Sequence, residues 1–374
     1  MDDLIADEDR SLHRTSVLPG AGFFVPDSVR EERTQQAVES ALDGAEAAVL
    51  ADPDADGLAC VAIIREVYDD VRVDIDIDGG DEPGEPFGVA VVPTSPHEIE
   101  ESLERVAESG EPGLDVYVCD LAPDAFEPIA EPLAAVVERA ATVSWYDHHQ
   151  WDPTVAAAVR ETGVTLEVGD SDEECSADVV FRSVVSADRP DLAELAAVTR
   201  DHDLWIREDP RSSDLADLAY WTGPEAYVET VRRHGADLPE TAEAYLEERR
   251  VEKRALIEFA LDRAEYRDVG EFTVGVTYGR CSQNEVAEGM RQSGADLSII
   301  VKPAGSASLR GTDAFERCHE VAALVGGGGH PKAAGCKPPV HDDMLDMAHH
   351  WVSRGAVTKQ VILEALERVV SDAA

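Results

Sequence analysis

Short apolar runs alternate with amphipathic segments through the first half of the chain. A helical pattern begins near VREERTQQAVESALDG, and the continuous run AAVLA (47–51) then predicts a short buried strand. LACVAIIREVYDD follows with helical spacing. VRVDIDI and FGVAVVP read as strands, PHEIEESLERVAESG as a helix, LDVYVCD as a strand, FEPIAEPLAAVVERA as a helix and TVSWYD as a strand. Strands and helices in this alternation predict an α/β fold with a doubly wound parallel sheet. Helical segments follow, from SADVVFRSVVSADRPDLAELAAVTRD to about residue 235. Residues 239–265 read as one long charged amphipathic helix, a connector between lobes or an ordinary surface helix. Beyond it FTVGVTYG, ADLSIIVK and SASLRG are strand-like, and NEVAEGMRQSG and VTKQVILEALERVV are helical, which predicts a smaller α+β domain. The expected division is an extended lead-in (1–28), a large α/β domain (29–235), a helical linker (236–268) and the small C-terminal domain (269–374).

Composition narrows the setting. The 374 residues carry 78 acids against 32 Lys and Arg, a formal charge of −46. The acids are interleaved with apolar periodicity, so they coat folded domains rather than form a tail. Lysine occurs only at 253, 302, 332, 337 and 359. Acidic, lysine-poor surfaces of this kind suggest a salt-adapted, haloarchaeon-like source. At about 1 M salt the Debye length is only about 3 Å, so the global charge does not exclude a phosphate-bearing substrate. Six scattered cysteines without CxxC spacing read as reduced and mostly buried. The N-terminus is acidic, without a signal peptide's basic and apolar regions, and no apolar stretch is long enough to span a bilayer, so a cytoplasmic protein is expected.

Candidate chemistry collects at the carboxyl ends of the expected strands, where sites are built in open α/β sheets. ADPDADG places Asp52, Asp54 and Asp56 where the first strand meets its helix. Alternate residues share a face if the backbone stays extended, although aspartate also favours helix N-caps. Asp120 ends the strand in VYVCDLAP. Asp147, His148 and His149 end TVSWYDHHQW; on an extended backbone one histidine would face a metal and its neighbour would face elsewhere, toward a substrate phosphate. Imidazole with carboxylate suits Mn2+ or a similar ion. TRDHDLW adds Asp201 and Asp203, with His202 read as a packing residue. Carboxylates outnumber histidines and thiols are absent, which points to a two-metal hydrolytic site for phosphate esters rather than structural zinc. In the C-terminal domain VGGGGHPKAAGC lets backbone N–H groups approach an anion, with His330 and Lys332 adding donors, and Ser308 and Arg310 within the strand-like SASLRG. It is neither a P-loop nor a dinucleotide fingerprint. His349 and His350 lie in helical context and read as structural.

The ordered set DPDADG, VCDLAP, DHH, DHD and GGGGHPKAAG resembles the DHH phosphoesterase superfamily with its DHH-associated C-terminal domain, RecJ-like and nano-RNase-like members included, over roughly residues 45–340. The resemblance implies Mn2+ or Mg2+, two ions in all. By motif it implies Asp52, Asp54, Asp56, Asp120, His148 and Asp201 as metal residues, with Asp203 as the alternative to Asp201. Asp120, His148 and His149 would be catalytic. Arg310, Gly327, Gly328, Gly329, His330 and Lys332 would bind substrate. Many members carry a histidine where this chain has Leu50, and Asp52 would compensate. The implied activity is metal-dependent hydrolysis of short single-stranded oligonucleotides, RNA or DNA. The alternatives are a cyclic-dinucleotide or phosphoadenosine-phosphate phosphoesterase, and a catalytically silent nucleic-acid-binding partner in a replication or repair assembly. The expected partners are a short single strand or nucleotide and a second copy of the chain in a homodimer, with no membrane.

Overall fold

A computed structural model describes residues 27–68, 88–186, 188–341 and 344–371; the strand expected in VRVDIDI and nearly all of the lead-in lie outside them. The chain divides into two compact units, Met1–Glu247 and Glu248–Ala374. In the first, α1 (Asp27–Leu42) leads to β1 (Ala47–Ala51), α2 (Ala55–Tyr68), β2 (Val89–Pro93), α3 (Ile99–Ser109), β3 (Asp115–Cys119), α4 (Ala130–Arg139), β4 (Thr142–Asp147), α5 (Pro153–Glu161) and β5 (Thr165–Val168). Four helices follow: α6 (Ser176–Val184), α7 (Pro190–Asp203), α8 (Pro210–Trp221) and α9 (Pro224–His234). The expected long helix is α10 (Glu240–Leu261), which spans the division.

The five strands pair in parallel in the order β2-β1-β3-β4-β5. All five residues of β1 are buried because both faces of the sheet are covered. Ala47, Val49 and Ala51 join one apolar core with α2, α6 and α7, while Ala48 and Leu50 join another with α1, α3 and α4. Continuous apolar runs are the signature of strands buried on both faces. This is the expected doubly wound α/β sheet. From β1 the chain turns to one side, to β2, and then returns to β3 on the other. The carboxyl ends of β1 and β3 therefore flank the topological switch point, where such sheets place their ligands.

The second unit continues with β6 (Glu265–Val269), β7 (Phe272–Tyr278), α11 (Gln283–Gln292), β8 (Leu297–Val301), β9 (Ala307–Gly311), α12 (Cys318–Ala323), β10 (Gly327–Gly329), β11 (Ala333–Cys336), α13 (Met344–Val352) and α14 (Ala356–Ser371). Its six-stranded sheet, ordered β10-β11-β9-β8-β7-β6, is antiparallel except between β7 and β8. Val274, Val276, Leu297, Ile299 and Leu309 pack on Ile362 and Leu366 of α14. Gly270, with φ of +61°, supplies the left-handed turn between β6 and β7, a short hairpin that the charged run EYRDV conceals in the sequence. Five of the six cysteines are buried and none is bridged. Among the described residues no helix is long and apolar enough to cross a membrane.

Candidate metal centre

The backbone leaves β1 at Ala51 and enters α2 at Ala55, so the three aspartates of the first motif do not alternate along an extended strand. Asp54 is exposed and caps α2, its Oδ1 accepting from Asp56 N at 2.9 Å and Gly57 N at 3.1 Å. Asp52 is half-buried, and Asp56, in the first turn, is buried. Gly57 is dictated by this turn: a Cβ there would lie 2.2 Å from the Asp52 carbonyl oxygen. The Asp56 carboxylate receives Ser176 N at 2.7 Å and Ala177 N at 2.9 Å from the first turn of α6. That helix terminus favours negative charge.

Asp120 follows β3 with φ of +59°, a left-handed conformation that aspartate tolerates better than most residues. Its N–H donates to Tyr146 O at 3.0 Å, and its Oδ1 accepts from Ser176 Oγ at 3.0 Å. Strand β4 ends at Asp147, so His148 and His149 stand on a turn. Their rings therefore do not face opposite ways, as an extended backbone would require: the centroids are 4.6 Å apart and each ring has a nitrogen 3.7 Å from Asp120 Oδ1. Asp147 anchors this turn from beneath. It holds His149 Nδ1 at 2.8 Å through Oδ1 and accepts Trp151 Nε1 at 2.6 Å through Oδ2. Trp145, whose Nε1 donates to Leu121 O at 2.8 Å, packs edge-on against Trp151.

Asp203, at the end of α7, brings Oδ2 to 3.2 Å from His148 Nε2, while Asp56 Oδ2 lies 3.9 Å from that nitrogen. Asp201 sits elsewhere: its Oδ1 accepts Glu208 N at 2.9 Å and its carbonyl accepts Arg207 N at 3.1 Å, closing the loop after α7. Two residues apart on a helix are about 200° apart around its axis, so only one of the pair can face the centre. Leu50 is fully buried in an apolar core.

Two groups of ligand-type atoms result, Asp120/His148/His149 and Asp56/His148/Asp203, each with its atoms within 4.8 Å of one another. Neither ring nitrogen of His148 nor Asp203 Oδ2 makes a hydrogen bond, although all three atoms are buried. Buried polar atoms are normally satisfied, so orphans converging from separate elements fit a cation held between them. The electrostatics agree. Burial and then Asp54 push Asp52 up to about 7. Burial and then Asp54 push Asp56 up to about 6, against the two backbone N–H donors. Burial and then Asp56 push Asp203 up to about 7, and burial with the surrounding aspartates raises Asp120 well above the carboxylate range. Burial would raise Asp147 too, but the hydrogen bond and charge of His149 hold it low. Carboxylates crowded in this way repel one another until a cation joins them.

The other expected residues belong to the second unit. β10 and β11 form a hairpin whose turn His330 and Ala333 close with 2.7 and 3.3 Å backbone bonds. At Gly327 a Cβ would lie 2.1 Å from Gly335 O, and Gly329 has φ of +130°, so strand pairing demands both; around Gly328 the space is open. His330 is exposed, and Lys332 Nζ bonds Asp313 at 2.6 Å and Glu316 at 3.1 Å. Ser308 is buried on β9. Arg310, across from Ala333, donates to Asn284 Oδ1 at 3.0 Å. Burial, then the charge of Arg310, lowers Lys302. His350 is held between Lys302 O, at 2.9 Å, and Thr358 Oγ1, at 3.3 Å. No motif in the sequence marks Lys302 or Ser176 as site residues, or joins Asp147 to Trp151 as a strut. Ser176 lies 120 residues from Asp56, and only the α6 start signal marks it.

No protein-family profile matches the chain, and no curated protein matches it. Solved structures do. The exonuclease RecJ bound to manganese aligns over 87% of this chain and 94% of its own, at 17% identity and a TM-score of 0.50. RecJ in complex with Mn2+ from Thermus thermophilus aligns over 94% of this chain and 56% of its own, at 17% identity and a TM-score of 0.48. A DHH domain described as a member of the s1p family of ribosomal proteins aligns over 90% of both chains, at 11% identity and a TM-score of 0.49. The likeness to manganese-bound RecJ establishes a shared fold.

Proposed function

We propose that the chain is a metal-dependent phosphoesterase of the DHH type that hydrolyses short single-stranded oligonucleotides with two Mn2+ or Mg2+ ions. The observation that carries this reading is the convergence of Asp56, Asp120, His148 and Asp203 from four elements, with orphaned buried nitrogens, at the switch point of a RecJ-like sheet. Asp56, His148 and Asp203 would hold one ion, with Asp203 taking the part expected of Asp201, and Asp120 with the histidine pair offers ligand atoms for the other. Such ions supply Lewis-acid polarisation of a phosphoryl oxygen and acidify water. The chain's own residues supply the rest. Asp147 fixes His149 by Nδ1, which leaves Nε2 as the ring nitrogen not so engaged, to donate to a substrate phosphate. Burial disfavours the imidazolium, but the Asp147 bond overrides it and, without a bound cation, raises His149 to about 9. In the second unit Arg310 and the open backbone at Gly328 offer anion contacts, with Gly327, Gly329, His330 and Lys332 framing the hairpin.

The test is hydrolysis of end-labelled RNA and DNA single strands, from dinucleotides upward, in concentrated KCl with Mn2+ and then with excess EDTA. Cleavage that favours the shortest strands and disappears with EDTA is expected. Mn2+ binding without cleavage of any length would replace oligonucleotides by cyclic dinucleotides or phosphoadenosine phosphate. Neither binding nor cleavage would leave a silent binding module.

The choice between the two acids of α7 has its own test. Calorimetric titration with Mn2+ should show Asp203→Ala losing on the order of 100-fold in affinity. Asp201→Ala should keep the affinity and lose about 1 kcal/mol of stability with its loop-closing bond. The reverse pattern would return the role to Asp201.

A further inference from the structure

Four non-glycine residues have positive φ among the described residues, and three of them, Asp120, Trp205 and Arg207, belong to the metal centre or to the loop that leaves it. A bulky side chain in this region is unusual, and such strain tends to persist at functional sites. Trp205 follows the C-cap Leu204 of α7, where glycine is the usual occupant, with φ of +56°. It stands two residues beyond Asp203 and is 47% exposed, so burial does not explain it. Arg207, with φ of +57°, lays its guanidinium 3.8 Å over the indole centroid. On a chain of net charge −46 this guanidinium makes no ion pair with a carboxylate among the described residues. The ring of His202 lies 6.2 Å from the indole, inclined by 28°. Asp201, through its carbonyl and its carboxylate, fixes the backbone that presents this group.

We propose that Trp205 and Arg207 form a nucleobase-stacking subsite beside the metal centre, which positions the nucleotide whose phosphate is cut. Indole and guanidinium planes stack on bases whatever their sequence, and the guanidinium adds a charge suited to a nucleotide. The subsite rests on reading the acid cluster as a phosphoester centre.

The experiment measures binding of adenosine 5′-monophosphate and of ribose 5-phosphate to the full chain by calorimetry, in Mg2+ and concentrated KCl, alongside dinucleotide hydrolysis. The wild type should prefer the base-bearing ligand by about tenfold, the size of one stacked base. Trp205→Gly should reduce that preference to about twofold or less, and Arg207→Ala should reduce it in part. Because glycine accepts the left-handed backbone, Trp205→Gly should melt no lower than the wild type. A structural tryptophan would give the opposite pair of results, a lower melting point with the preference intact, and either a preserved preference or its absence from the wild type overturns the subsite. Absence of dinucleotide cleavage with the base preference retained would count against the phosphodiesterase reading alone.

Discussion

Asp120→Asn is expected to lower Mn2+-supported turnover by on the order of 10³-fold, comparable to losing a group aimed at transition-state charge, while raising the thermal midpoint of the metal-free protein. Both halves follow from one geometry. Asp120 is buried between the histidine pair and Ser176, and it is the one carboxylate of the Asp120/His148/His149 group. Without a cation that carboxylate is repelled by Asp56, Asp54, Asp147 and Asp203, in addition to the penalty of burial. Asparagine keeps the shape and can still accept from Ser176, but it carries no charge. Because the folded protein holds the Asp120 proton more tightly than the unfolded chain, the wild type has its full share of stability below the ordinary aspartate range and loses it as pH rises. The advantage of the variant should therefore be small at about pH 5 and larger at about pH 8. Mn2+ should stabilise the wild type more than the variant, since only what binds the native state shifts the midpoint. Melts with EDTA or Mn2+ at both pH values, with turnover alongside, check the set. Turnover within about tenfold of the wild type would remove Asp120 from the centre.

What could be read in advance was local in sequence. AAVLA, VYVC and TVSWY are short strand-like runs each followed by an acid, so both the parallel sheet and the carboxylates at its rim follow from short windows. What could not be read depended on phase or distance. The side chains of Asp201 and Asp203 were equivalent in the string TRDHDLW, and only the packing of α7 turns Asp203 toward His148. A strand continued through the pair would make the histidine rings diverge, whereas β4 stops at Asp147. Strand β5, TLEV, was not anticipated: it is short, and two of its four residues are polar. The glycines of VGGGGHPKAAGC were read for anion contact. Two of them, Gly327 and Gly329, are required by strand pairing, and around Gly328 the space is open.

Arg65→Ala is expected to destabilise the first unit by about 3–5 kcal/mol, the range for breaking a buried ion pair from one side. The guanidinium is 1% exposed and all five of its N–H donors can be placed. Nε and Nη2 donate to Val89 O at 3.1 and 3.0 Å, Nη2 also to Glu225 Oε1 at 2.8 Å, and Nη1 to Glu225 Oε2 at 2.6 Å and Glu229 Oε1 at 3.2 Å. The network continues through Arg232, which binds Glu229 at 2.6 Å and Glu66 at 3.1 Å, and through Arg189, which binds Glu66 at 2.8 Å. Truncating Arg65 leaves Glu229 with less positive charge in a dry setting and Val89 O without its donors. The consequence reaches the candidate metal centre, because Arg65 sits near the far end of α2, whose first turn carries Asp56. The exposed pair Arg105–Glu101 provides the contrast, since such surface pairs contribute about 0.3–0.5 kcal/mol. In concentrated KCl the surface pair should be screened away, whereas the buried network should keep its effect. Thermal melts of Arg65→Ala and Arg105→Ala at low and high KCl decide the matter. A shift of about 10 °C for the first and almost none for the second is the expected pattern at this domain size. A loss below about 1 kcal/mol for Arg65→Ala would mean that the network is idle and that packing alone holds α2 in place.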